Sequence, residues 1–170
     1  MTFSAYLYVN RGEDYDFPYR ECISGLAWCD EIWVGTDSRF NDGTIQVLEK
    51  LKSGSSKIKL LIKEFDFDHP NPHGHIKQEL RDKCTSDWLI EIDADEYLLQ
   101  GEVDKLKDLC HRCPKKSLIV EVPMISFFNG NWINMEMPSF RSILSRNVDV
   151  VRHDVGTSNL FGRLGAQYIS

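Results

Sequence analysis

Residues 87–96 read DWLIEIDADE, an apolar run of Trp88, Leu89, Ile90 and Ile92 that ends among four carboxylates, Glu91, Asp93, Asp95 and Glu96. The apolar part has the length and composition of a buried strand. A carboxylate buried there without a partner costs several kcal/mol, so the cluster calls for compensation. Three sources are open: a cation from the protein, a metal ion, or water at a strand end.

Working backwards along the chain, the surroundings of this strand follow a regular alternation. FSAYLYV (3–9) mixes β-formers with aromatics and predicts a first strand. FPYRECISGLAWC (17–29) sets Tyr19, Ile23, Leu26 and Ala27 at helical spacing, with Pro18 acceptable in a first turn. EIWVGT (31–36) predicts a second strand, stopped by the polar turn DSRFNDG, and TIQVLEKLK (44–52) predicts a helix that GSS breaks. KIKLLIKEF (57–65) predicts a third strand, and HIKQELRDKC (75–84) a helix with Ile76, Leu80 and Cys84 on one face. DWLIEI (87–92) is then the fourth strand.

Four strands alternating with helices predict a parallel, doubly wound α/β sheet. Such sheets bind ligands beyond the carboxyl ends of their strands. That rim receives both polar loops, DSRFNDGT after the second strand and DADE after the fourth, so the acidic cluster is expected at the rim rather than inside. Downstream, EVDKLKDLC (102–110) predicts a helix and SLIVEVP (117–123) a strand. From Met124 the character changes to short β-like runs, RSILSR and VDVVRH among them, read as an addition to the same domain.

Composition excludes several classes. With a net charge of −6, the 170-residue chain offers no basic stripe for phosphate backbones, which argues against nucleic acid as a partner. The opening MTFSAYLYVN lacks the charged and apolar parts of a signal peptide. No apolar run approaches the roughly 20 residues that span a bilayer, so a cytoplasmic location is expected. Five cysteines show no disulfide-framework spacing, in keeping with that compartment. CHRC (110–113) stands alone, without a second Cys or His pair at zinc-finger spacing, and reads as reduced cysteines at a helix end.

Asp93 and Asp95 are two residues apart, a spacing that brings two hard oxygen donors to one side of an extended or turning segment. Such donors suit Mg²⁺ or Mn²⁺, ions that keep positions open for substrate phosphates. The pattern is short, and solvated acidic turns share it.

Three motifs taken in order give it context. VGTDSRFNDGT, then KQELRDKCTSDWLIEIDADEYL, then FFNGNWI…PSFRSIL resemble the family 2-like glycosyltransferases with the GT-A fold, and within them the lipopolysaccharide-core subgroup. The family's VDSGSTDGT pattern is matched at Asp37, Ser38, Asp42, Gly43 and Thr44. Lys77 and Gln78 stand where relatives carry Arg-Asn, and FFxGxWI…PxxxxRLF is approximated over residues 127–146. The resemblance covers roughly residues 3 to 146.

It implies a single GT-A domain, a Rossmann-like sandwich with a mostly parallel central sheet. Residues 1–100 would form a nucleotide-binding half and 101–170 an acceptor-side half. The implied reaction is metal-dependent, inverting transfer of a hexose-type sugar from a nucleotide-diphosphate donor, UDP-sugars favoured, to a glycan or other hydroxyl acceptor. Asp37 would accept hydrogen bonds from the base, and backbone around Tyr8, Val9 and Asn10 would line the same pocket. Lys77 would approach the diphosphate, Asp93 the ribose or metal-bound water, and Asp95 would be the main ligand of Mn²⁺ or Mg²⁺. A general base is needed downstream. Glu136, Asp149 and Asp154 are available; RHD (152–154) resembles an HE in relatives, which points to Asp154 as base and His153 as a metal or diphosphate contact.

Each residue also has a plainer role. Asp37 and Asp42 would be turn formers, Asp42 capping the helix 44–52, Lys77 an exposed helix lysine, and Glu96 a charge at the approach to a helix rather than an acceptor-side residue. His69, His73 and His75, in the loop DFDHPNPHGH, line a donor pocket or face solvent. Relatives run well past LGAQYIS, so a minimal enzyme, a truncated product and one half of a pair are all compatible readings. The rival functions are a nucleotide-sugar-binding module without turnover, a DxD phosphohydrolase and a structural domain with a solvated acidic rim.

Overall fold

Apolar residues at period two, alternating with stretches at helical period, give the first hundred residues their β-α-β order in the computed structural model of the chain. It describes residues 1–96, 98, 100–124, 127–128, 131–132, 139–153 and 160–162. In chain order these are β1 (Phe3–Tyr8), α1 (Tyr19–Gly25), β2 (Glu31–Asp37), α2 (Thr44–Gly54), β3 (Ile58–Lys63), α3 (Pro72–Arg81) and β4 (Trp88–Glu91). A 3₁₀ turn at Gln100–Glu102 leads into α4 (Val103–Arg112) and β5 (Ile119–Met124). Then come β6 (Phe127–Phe128), β7 (Asn131–Trp132), β8 (Ser139–Arg146), β9 (Val151–His153) and β10 (Leu160–Gly162).

Six of these strands form one sheet in the order β3-β2-β1-β4-β8-β5. β1 pairs in parallel with β2 and with β4, and β2 with β3, as the sequence predicts. β8 then enters antiparallel between β4 and β5, matching Ile90 to Leu144 and Val122 to Arg141. The chain therefore leaves β4, builds β5 two positions away, and returns to fill the gap.

Alternation along the strands divides the core into two layers. Phe3, Ala5, Leu7 and Val9 of β1 and its continuation face one side with Ile32, Val34, Trp88 and Ile90, packing on α1, α2 and α4 through Ile23, Leu26, Leu48 and Leu106. Tyr6 and Leu89 face the other side, where Ile76 and Leu80 of α3 and Phe65 cover them. Gly35 belongs to this second face: a Cβ there would stand 3.0 Å from Leu80 Cδ1, so its small size lets α3 sit close to the sheet.

α3 begins three residues earlier than the sequence reading placed it. Asn71 Oδ1 accepts the Gly74 N–H at 3.0 Å and Pro72 opens the helix, a cap-and-proline start. Its far end is anchored by Arg81, which donates to Val151 O, Ser145 Oγ and Arg146 O at 3.0, 2.7 and 2.8 Å. One buried guanidinium thus ties α3 to β8 and β9. At the start of α2 the N-cap is Gly43, not Asp42; Asp42 stands one residue earlier and accepts from Thr44 N and Thr44 Oγ1.

Candidate active site

The carboxyl ends of β2, β1 and β4 carry the residues that the sequence singled out, and strand parity puts them on the α3 face. Register matches Tyr8 to Gly35 and Tyr6 to Glu91. Continued by one pleat, it aligns Asp37, Asn10, Tyr8 and Asp93 along the rim of three adjacent strands. Asp37, level with Asn10, and Asp93, level with Tyr8, are two strands apart and offset by one pleat.

At the β2 end, Asp37 is 1% exposed. Its carboxylate accepts Arg39 Nε at 2.9 Å and Nη2 at 2.8 Å, and the Phe65 N–H at 2.9 Å. Burial works against the charge, but the Arg39 fork and two backbone donors outweigh it and hold the carboxyl down at about 2. The Arg39 guanidinium lies over Phe67, 5.1 Å from the ring centre. Both Asp37 oxygens are thus occupied within the chain, and the half-exposed Arg39 presents the outward donors at this position.

At the β1 end, the Tyr8 ring packs edge-on against Phe65 with centroids 5.4 Å apart. Tyr8 Oη and Asn10 Oδ1 are both shielded from solvent and have no hydrogen-bond partner among the described residues. Burial, then Asp37, pushes the Tyr8 phenol well above its ordinary value, so it stays a neutral donor. A buried donor and a buried acceptor left open are what a hydrogen-bonding ligand would satisfy. Val9 differs: its side chain is in the core on the opposite face and its N–H donates to Gly35 O at 2.9 Å.

At the β4 end, the protein supplies the compensation that the opening stretch called for. Lys77 Nζ from α3 lies 2.5 Å from Glu91 Oε1 and 2.8 Å from Asp93 Oδ1. Arg141 from β8 reaches Glu91 Oε1 at 3.0 Å and Asp93 Oδ2 at 2.8 Å, and also pairs with Glu96. Glu91 is 2% exposed, so part of the acidic cluster is inside the fold and not at its rim. Asp93 is half-exposed and Asp95 exposed. Residues 93–96 form a turn, with Glu96 N donating to Asp93 O and Asp93 N to Glu96 Oε2, so Asp93 and Asp95 are not successive residues of one strand face.

The electrostatics follow from this arrangement. Burial opposes the Asp93 charge, but the Arg141 hydrogen bond and the Lys77 charge hold its carboxyl below the usual range. Burial likewise opposes the Lys77 ammonium, which Glu91 and Asp93 hold above its ordinary value. Glu96 goes the other way, raised by burial. Counting formal charges, Lys77 and Arg141 pair with Glu91, Asp93 and Glu96, and the neighbouring exposed Asp95 brings the surplus to two negative charges.

That surplus and the exposed Asp95 fit one divalent cation. Among the described residues no three His, Cys, Asp or Glu side chains converge into a ready cage. The fit is therefore to an ion that draws one or two carboxylates from the protein and the rest of its shell from water and phosphate.

The other predicted residues fall elsewhere. His153 is buried, with Nε2 3.0 Å from Tyr6 Oη and its N–H donated to Gln78 Oε1. Asp154 and Glu136 lie outside the described residues. His69, in the loop before α3, stacks at 4.6 Å on His75 of the first turns of α3, and His73, also in the helix, is exposed. Cys110 and Cys113 are buried at the end of α4. Arg141 and Arg39 received no role from the sequence, although both stand in quoted motifs. The available signal for Arg141 was an arginine placed near the start of the β-like run RSILSR.

No family model and no curated protein matches this sequence. Solved structures do match the fold. TarS residues 1–349 from S. aureus superposes with a TM-score of 0.59 at 17% identity, over 86% of this chain and 47% of that one. The same TarS fragment in complex with UDP-GlcNAc gives 0.58 at 17%, over 81% and 38%. The mannosyltransferase PcManGT from Pyrobaculum calidifontis, in complex with GDP-Man and Mn²⁺, gives 0.53 at 13%, over 69% and 34%. The chain thus spans about half or less of the length of these structures. Its fold is the mixed α/β, mostly parallel architecture of the GT-A nucleotide-sugar transferases.

Proposed function

We propose that this chain is a family 2-like glycosyltransferase domain that binds a nucleotide-diphosphate sugar across the carboxyl ends of β2, β1 and β4 and transfers the sugar, with inversion, to an acceptor hydroxyl. The observation that supports it best is the row of three features on one face of the sheet. These are the Asp37–Arg39 fork, the open Tyr8 and Asn10 groups, and the Lys77–Arg141–Asp93 cluster beside exposed Asp95. UDP-GlcNAc and GDP-Man in the solved neighbours support a nucleotide-sugar donor, with UDP-sugars favoured here.

In this reading the base sits against Tyr8, Asn10 and the Asp37–Arg39 pair. The open Tyr8 donor and Asn10 acceptor orient its edge. The ribose reaches Asp93 and the diphosphate reaches Lys77, whose charge is assured by its two carboxylate neighbours. Asp95 and Asp93 would hold Mn²⁺ or Mg²⁺, which supplies positive charge at the leaving diphosphate. Asp154, next in sequence to His153 of β9, is the general base for the acceptor hydroxyl. His153 itself stays bonded to Tyr6.

The test is turnover. The chain, incubated with Mn²⁺ and a panel of UDP- and GDP-sugars, is expected to release nucleoside diphosphate from one donor, slowly into water and faster with a glycan acceptor. Binding of the donor with no release in either case would leave a sugar-nucleotide-binding module.

A further inference from the structure

Lys77 is the cation that the motif comparison assigns to the diphosphate, yet it is not the better exposed of the two cations at β4. The Arg141 side chain is 19% exposed against 10% for Lys77. Register places Arg141 opposite the start of the DADE turn: β8 runs antiparallel to β4 with Trp88 on Arg146 and Ile90 on Leu144, and the same step continued sets Asp93 on Arg141. Its Nη1 and Nη2 hold Asp93, Glu96 and Glu91, while Nε has no acceptor among the described residues. A guanidinium can take an oxyanion through two parallel N–H groups, a geometry that an ammonium lacks.

Glu91 holds the two cations together. Its single oxygen Oε1 receives both Lys77 Nζ and Arg141 Nη2, and it is buried where no ligand reaches it. Asp93 is different: each of its oxygens takes one of the same cations, and it stands half-exposed at the mouth. If Asp93 turns towards a ribose or a cation, Lys77 and Arg141 lose that partner but keep Glu91. They are then two positive groups fixed side by side, each with bonding capacity released.

We infer that Arg141 is a second diphosphate-binding residue, and that Glu91 is the positioning residue that keeps Arg141 and Lys77 facing the phosphates when Asp93 engages its own ligand. This rests on the nucleotide-sugar reading above and adds residues that the motif comparison left without a role.

The experiment compares nucleosides with their diphosphates, uridine with UDP and guanosine with GDP, by calorimetry in Mn²⁺ on the full chain. Arg141→Gln is expected to weaken the diphosphate about ten-fold or more while leaving the nucleoside unchanged. Because Arg141→Gln leaves carboxylates unbalanced, the double variant Arg141→Gln with Glu91→Gln removes one charge of each sign. It is expected to melt near the wild-type temperature and still lose the diphosphate preference. Glu91→Gln alone is expected to lower diphosphate affinity without moving nucleoside affinity, a split that a purely structural role would not produce. Unchanged diphosphate affinity in a folded Arg141→Gln or double variant would overturn the inference. Failure of the wild type to bind any of the four compounds would instead overturn the nucleotide-sugar reading on which it rests.

Discussion

Lys77 Nζ, from the middle of α3, lies 2.5 Å from Glu91 Oε1 at the last residue of β4, and both side chains are buried. The helix is thereby fastened to the strand by charge at the point where the sheet meets its rim. Removing one partner of a buried pair leaves the other uncompensated, which costs about 3–5 kcal/mol. Arg141 still serves Glu91, so Lys77→Met is expected at the lower end, about 3 kcal/mol, in urea unfolding. Adding Glu91→Gln to Lys77→Met is expected to restore much of that loss; an additive loss would show that the two do not act as a pair.

Asp37 joins β2 to the segment after β3 through the Phe65 N–H and holds Arg39 against Phe67. Asp37→Ala leaves a buried N–H without its acceptor and frees the guanidinium, a destabilisation of about 3 kcal/mol. Nucleotide affinity is expected to fall with it. Arg39→Ala is the sharper probe: the fold is expected to persist, because Arg39 is half-exposed. Calorimetry then shows whether nucleotide binding depends on the fork or on the carboxylate alone.

Acid is expected to unfold the chain through two named carboxyls. Glu31, bonded to Lys59, Ser4 and Thr85, and Asp37 are each held at about 2 in the folded chain. In the unfolded chain they return to ordinary values near 4. Folded pKa values below unfolded ones mean that the unfolded state binds protons first. Their contribution is full above about pH 5, declines as pH falls and is lost near pH 2. Urea midpoints between pH 6 and 2 check this, and Glu31→Gln is expected to flatten the slope.

Gly43, the N-cap of α2, has φ +96°, a conformation in which a side chain is strained. The nearest atom to an added Cβ is Glu13 Cγ at 3.6 Å, so Gly43→Ala meets no clash and its cost is conformational. A loss of about 1 kcal/mol in a thermal or urea melt is expected. No loss would mean that the backbone relaxes to another turn.

How much of this was legible in the sequence depends on how far apart the partners lie. β1 to β4 and the helices between them follow from local periodicity, and the parallel pairing follows from their alternation. α3 was placed at 75–84 although Asn71-Pro72 carried a cap-and-proline signal three residues ahead of it. The position of β8 between β4 and β5 depends on a long-range antiparallel return, which no local pattern encodes. The carboxylates of DADE were visible, but their compensation was not. Arg141 is 45 and 50 residues from Glu96 and Glu91, and only the folded register brings it to them. His153, read as a metal or diphosphate contact, has its Nε2 on Tyr6 Oη because β9 packs under α3, another relation without a local signature.

The nucleotide-sugar site is tested by UDP binding in calorimetry with and without Mn²⁺, on the wild type and on Asp95→Ala, with GDP run in parallel. Asp95 is exposed and tied to no described partner, so its replacement leaves the Lys77–Glu91–Arg141 cluster intact. The expected result is binding that Mn²⁺ strengthens and that Asp95→Ala brings down to the metal-free level. Indifference of the wild type to both nucleotides, with Mn²⁺ present or absent, would contradict the nucleotide-sugar account and leave DADE as a turn held by ion pairs.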